Sequence, residues 1–205
     1  MSKSSVSAGY DVAAHEFPAE LSADSESRVA LERWAPALPA QGRVLDVGCG
    51  AGRASRWLEA QGYNVMSLDL SLEMLRRTKA GRAHALAALA DMRALPVASG
   101  GFAGLTAFFS VTHIPKAEVP TVFGEFRRVL KPGGALLVGM VVGEAEGEEQ
   151  AEWAGGQVMH FSAFVEPELR GLFAASGFSV TGKHTGASHF HGQLERHLFM
   201  FGRAG

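Results

Sequence analysis

Residues 44–53 read VLDVGCGAGR, with Gly48, Gly50 and Gly52 at alternate positions and Asp46 two residues ahead of the first glycine. Glycines this dense let a backbone turn sharply and let a ligand approach with no side chain in the way. A triphosphate loop would continue into Gly-Lys-Ser/Thr, and none follows. A dinucleotide fingerprint places its third glycine at position 53, which is Arg53. A pyrophosphate also wants a bare helix N-terminus, whereas the Asp46 carboxylate beside the loop suits a cationic ligand. Two further acids, Asp69 and Asp91, follow the next two apolar runs, and His113 stands in FFSVTHIP.

The elements that must position these residues are legible in the hydrophobic pattern. Residues 43–47 predict a short buried strand, 51–61 a helix stopped by Gly62, and 64–68 a second strand. Ser71 predicts an N-cap with Glu73 in the first turn of a helix ending before Gly81. Residues 83–90 favour a helix by propensity, but their length and position predict a strand. Then come a strand over 102–109, a helix over 117–130 stopped by Lys-Pro-Gly-Gly, and a strand over 135–142. The acidic stretch 143–156 lacks apolar periodicity and predicts a mobile loop. A helix over 166–176 and strands over 178–185 and 196–201 complete the chain, while 24–38 predicts an amphipathic helix ahead of it all.

Alternating strands and helices imply an α/β fold with a largely parallel sheet, whose ligands bind at the carboxyl ends of the strands. The expected architecture is a Rossmann-like three-layer sandwich with seven strands, mostly parallel, the last antiparallel. At 205 residues the chain fits one domain. Within it, 1–40 is expected to form a helical cover, 41–142 the cofactor-binding core, 143–165 a substrate-side loop and 166–205 the closing helix and strands.

Composition narrows the partners. A net charge of −2 with no long basic tract makes nucleic acid an unexpected partner. The only cysteine, Cys49, excludes an intrachain disulfide and fits a reducing compartment. The start MSKSSVSAGY has no apolar core of a secretory signal, and no run approaches the roughly 18 residues of a membrane span. A cytoplasmic protein, monomeric or homodimeric, is the expectation.

Taken together, VLDVGCGAGR, SLDLSLEML, ALADMRALPVASGGF and FGEFRRVLKPGGALLVGMV resemble the motifs of the class I S-adenosylmethionine-dependent methyltransferases, over roughly residues 10–203. The resemblance implies that S-adenosyl-L-methionine binds and leaves as S-adenosyl-L-homocysteine. By it, Gly48, Cys49, Gly50 and Gly52 pack against the cofactor, and Asp46 lies near its amino group. Asp69 accepts from the ribose hydroxyls and Leu70 lies against the adenine. Asp91 accepts from the adenine amino group, and the Met92 amide donates to the ring. YDVAAHEF is similar to a looser pattern in small-molecule members, in which Tyr10 helps to cover the cofactor; Phe17 replaces its second tyrosine. An acidic residue frequent after the family's Phe is Ala103 here.

The resemblance implies methyl transfer to a small molecule by in-line displacement, with much of the rate coming from alignment. A base is needed only for an acceptor that arrives protonated, and His113 is the candidate for contacting the substrate or taking that proton. His189 and His191 form a His-x-His pair without an acidic or cysteine companion, so no metal is expected. The competing readings are a nucleotide-dependent oxidoreductase, disfavoured by Arg53 and Asp46, and a non-catalytic cofactor-binding protein of the same fold.

Overall fold

The computed structural model describes residues 3–82 and 84–205. Helices α1 (Lys3–Ala13) and α2 (Glu26–Trp34) precede strand β1 (Arg43–Val47). Then α3 (Arg53–Ala60), β2 (Asn64–Asp69), α4 (Leu72–Lys79), β3 (Leu86–Leu89) and β4 (Phe102–Phe108) alternate. Next come α5 (Val119–Val129), β5 (Leu130–Val141), β6 (Glu146–Ala151), β7 (Gln157–Ser162), α6 (Glu166–Ala175), β8 (Phe178–Phe190) and β9 (Gln193–Ala204). Of the expected third strand, Ala83 lies outside the described residues.

Seven strands form one sheet in the order β3-β2-β1-β4-β5-β9-β8. β1 to β5 pair in parallel, and only β9 runs antiparallel to both of its neighbours. The last strand of the chain is thus the reversed one, as expected. It sits one place in from the edge, because β8 is hydrogen-bonded outside it. The strand order reverses between β1 and β4, which opens a crevice beyond their carboxyl ends.

Strand periodicity explains the two apolar layers. Val44, Val65, Leu137 and Phe199 face α2 and α3 through Leu31, Trp34 and Leu58. Their sequence neighbours Leu45, Leu136, Val138 and Met200 point the other way, against Phe123 and Phe126 of α5 and Phe173 of α6. Ser25 and Ser71 cap their helices by accepting from the amides of Arg28 and Met74, at 3.3 and 3.1 Å. Among the described residues, no helix is long and apolar enough to cross a membrane.

Three local expectations need correction. The segment expected as a mobile loop over 143–165 is largely an antiparallel hairpin, β6 paired with β7. β6 exposes nearly every side chain and so carries no periodic signal, while β7 buries Met159, His160 and Ser162. The Lys-Pro-Gly-Gly turn does not separate α5 from its strand. β5 begins at Leu130, and the turn bulges from it where the pairing slips from Phe102 with Leu130 to Gly104 with Ala135. Finally, β8 and β9 are far longer than expected and meet at a tight turn in which His191 and Gly192 both have positive φ.

Candidate active site

The glycine loop is held by its neighbours. The amides of Gly48 and Cys49 donate to the Leu68 carbonyl at 2.7 and 3.0 Å, and the Thr78 hydroxyl donates to the Gly50 carbonyl at 2.7 Å. Gly48 (φ 65°) leaves no room: a Cβ there would lie 2.1 Å from the Ser110 Cβ. At Gly50 (φ 55°) a Cβ would meet nothing within 4 Å, so this backbone faces open cavity. These two glycines therefore have different work, one in packing against β4's continuation and one in offering bare backbone to a ligand.

Asp69, at the end of β2, accepts from the Gly50 amide at 2.8 Å and from the Ser71 amide at 2.9 Å. Burial nevertheless pushes its carboxyl up to about 6, against the pull of those amides. Asp46 is buried at the centre of the sheet, with the Ser55 hydroxyl donating at 2.6 Å and the Thr106 hydroxyl at 2.9 Å. Desolvation raises its pKa as well, and the two hydroxyls oppose that rise. Asp91 spends its carboxylate on Arg93, at 3.1 Å, and Arg93 also reaches Glu118.

Tyr10 and His113 meet across the opening. The Tyr10 hydroxyl lies 2.6 Å from His113 Nε2, and His113 Nδ1 lies 2.9 Å from the His160 carbonyl oxygen. A carbonyl only accepts, so Nδ1 carries the proton, and Nε2 of the neutral ring accepts from Tyr10. Burial lowers the His113 pKa, and burial followed by the field of Asp69 raises that of Tyr10. Both groups are therefore neutral near pH 7. His113 closes a short turn after β4, near Phe109, a non-glycine residue at φ 53° whose backbone N–H donates a hydrogen bond to the Gly139 carbonyl at 2.8 Å.

Tyr10, Asp46, Gly48, Cys49, Gly50, Asp69, Leu70, Asp91, Met92 and His113 all border one cavity at the carboxyl ends of β1 to β4. Gly52 does not. A Cβ there would press on Thr78 at 2.9 Å, so its place is in packing under the loop. The Cys49 thiol likewise turns to Thr78, at 3.6 Å, and burial pushes its pKa well up, which disfavours the thiolate.

A second cavity of about 910 Å³ adjoins the first, sharing Tyr10, Phe17, Ser27, Arg53, Phe109 and His113 with it. The β6–β7 hairpin and the β8–β9 turn roof it. Trp153 packs against Tyr10 at 5.4 Å and Phe190 at 5.4 Å, and stacks on His191 at 5.5 Å. His191 is thereby an aromatic wall beside a turn, and His-x-His does not form two neighbouring positions of one regular strand face.

The sequence reading missed several residues. Asp11 accepts from the Ser71 hydroxyl at 2.5 Å and the Glu73 amide at 3.1 Å, fastening α1 to the start of α4. Its signal was the Tyr-Asp pair, which said nothing of a partner 60 residues away. His160 and Trp153 arrive with the unforeseen hairpin, and Arg53 was weighed only as a missing glycine.

Residues 44–134 match the family model described as a methyltransferase domain. The malonyl-[acyl-carrier protein] O-methyltransferase of Enterobacter lignolyticus is 32% identical over 183 residues, 78% of this chain and 72% of that protein. The demethylmenaquinone methyltransferase of Renibacterium salmoninarum is 38% identical over 102 residues, 50% of this chain and 42% of that one. The chain spans only about half the length of other curated relatives that it matches. Among solved structures, a Methanosarcina mazei protein described as an S-adenosylmethionine-dependent methyltransferase aligns with a TM-score of 0.76 at 18% identity, covering 90% of this chain and 98% of that one. At that identity the structural likeness speaks for the fold.

Proposed function

We propose that this chain, which belongs to the class I S-adenosylmethionine-dependent methyltransferases, methylates a small, non-acidic molecule that loses a proton through Tyr10 to His113. The observation that carries this reading is the 2.6 Å hydrogen bond between those two side chains, at the junction of the two cavities. The donor set of the inner cavity fits the cofactor. Bare backbone at Gly50 gives room for the adenosyl unit, and the fixed Asp69 carboxylate keeps lone pairs for a ribose diol. Asp46 puts negative charge where a sulfonium-bearing ligand gains from it.

When bound, the cofactor supplies an electrophilic methyl group on a sulfonium. The chain's own residues align the reactants and move a proton. The acceptor's proton passes to the Tyr10 oxygen as the Tyr10 proton passes to His113 Nε2. This leaves a neutral tyrosine and an imidazolium whose Nδ1–H still donates to the His160 carbonyl. Trp153 and Phe190 present an apolar aromatic wall to the Tyr10 side of the junction.

The walls of the outer cavity set the charge of the acceptor. Asp24, Glu26, Glu149, Glu152 and Glu195 border it, and Arg53 is the only Lys or Arg among the described residues that does. The acceptor named for the Enterobacter lignolyticus relative, a malonyl group on a carrier protein, would bring further negative charge to that wall. A neutral or basic small molecule is the better match.

The test is transfer of labelled methyl to matched neutral, basic and carboxylic small acceptors, beside calorimetry with S-adenosylhomocysteine. Turnover of neutral or basic acceptors that collapses in Tyr10→Phe supports the reading. Turnover confined to carboxylic acids, or undiminished in Tyr10→Phe, refutes it.

A further inference from the structure

We propose that Arg53 is the binding site for the α-carboxylate of the cofactor's methionyl arm. Arg53 is the first residue of α3, directly after Gly52, and its side chain borders both cavities. Among the described residues, no hydrogen bond or ion pair reaches its guanidinium, and the carboxylate whose field acts on it is that of Asp46.

The other arginines near the loop are used. Arg82 pairs with Glu59, Arg93 with Asp91 and Glu118, and Arg56 donates to the carbonyls of Arg77 and Ala80. Arg53 is half-buried with no such partner, and burial lowers its pKa, so a ligand that brings an anion to its guanidinium would be favoured there. Its rigid fork of donors matches a carboxylate.

Two ligands could bring that anion, and the charges around Arg53 choose between them. An anionic acceptor would gain one cation and face the five carboxylates of the outer wall. The methionyl arm is a zwitterion. The pair of Asp46 and Arg53, one on each side of the glycine loop, presents the opposite sign to each of its ends. Arg53 therefore orients the arm as well as binding it, holding the sulfur in line with the Tyr10–His113 junction. This assignment rests on the methyltransferase reading of the site.

The test uses two ligands that share the nucleoside and the sulfur. S-adenosylhomocysteine carries the carboxylate, and 5′-methylthioadenosine lacks the whole amino-acid arm. Both are titrated calorimetrically into the wild-type protein, Arg53→Gln and Arg53→Lys. Arg53→Gln is expected to weaken S-adenosylhomocysteine by roughly tenfold or more and to leave methylthioadenosine within about twofold, with Arg53→Lys between. Equal losses for both ligands would mean that the substitution disturbs the loop, and an unchanged S-adenosylhomocysteine affinity would mean that Arg53 serves another anion. Either result overturns the assignment. Failure of the wild-type protein to bind either ligand would instead sink the methyltransferase reading of the site itself.

Discussion

The Tyr10 hydroxyl and His113 Nε2 lie 2.6 Å apart although 103 residues separate them in the chain. Because the other ring nitrogen is committed to the His160 carbonyl, the basic nitrogen of His113 is reached only through Tyr10. The pair joins the N-terminal cover to the turn after β4, at the border of both cavities.

Tyr10→Phe and His113→Gln are expected to lower kcat for a protonated acceptor by roughly 10²- to 10⁴-fold, the usual contribution of a positioned acid or base. S-adenosylhomocysteine affinity should change little in His113→Gln. Methyl-transfer kinetics and calorimetry on the same preparations check the split, and equal losses in both would assign His113 to cofactor binding.

Asp69→Ala should weaken cofactor binding by roughly 1.5–3 kcal/mol, the scale of hydrogen bonds to a charged group. Calorimetry with S-adenosylhomocysteine measures it directly. Full affinity in the variant would remove Asp69 from the ribose site.

Burial raises the Asp69 carboxyl to about 6 in the free protein. A ligand whose hydroxyls donate to the carboxylate favours the ionised form, so its binding must lower that pKa. Affinity is then complete above about pH 6 and falls below it, by roughly tenfold near pH 5. Asp69→Asn should flatten this profile between those values, since the neutral amide has no proton to gain. A slope that persists in the variant would point to Asp46, whose pKa is also raised.

Gly48→Ala and Gly50→Ala separate packing from binding. The first drives a Cβ to 2.1 Å from the Ser110 Cβ and should lower the melting temperature sharply or prevent folding. The second meets open space and carries only the left-handed backbone penalty of roughly 1–2 kcal/mol, so the protein should fold and lose cofactor affinity. Comparable melting temperatures for the two would contradict this division.

Asp11→Ala removes two hydrogen bonds at the start of α4. Capping losses of this kind cost about 1 kcal/mol, which for a chain of this size lowers the melting temperature by about 2–4 °C. A thermal melt of the two proteins decides it.

What the sequence determined by itself is local. The strand-loop-helix junction at VLDVGCGAGR, the acid at the end of β2 and the Ser71 cap each arise within a few residues. Backbone geometry then dictates where amides and carboxylates point. Alternating apolar strands and amphipathic helices likewise fixed the layering, because each face has to be buried. Tertiary structure alone decided the rest. The β6–β7 hairpin was illegible because its outer strand is polar throughout and its inner strand finds its apolar partners on α1, about 150 residues away. The roles of Tyr10 and Asp11 depended on partners far along the chain. Arg53 looked like a departure from a glycine pattern, and its lack of a partner among the described residues became visible only in the fold, where Arg56, Arg82 and Arg93 nearby are all engaged. A lone guanidinium is defined by what does not reach it, and only the folded arrangement of distant segments sets that.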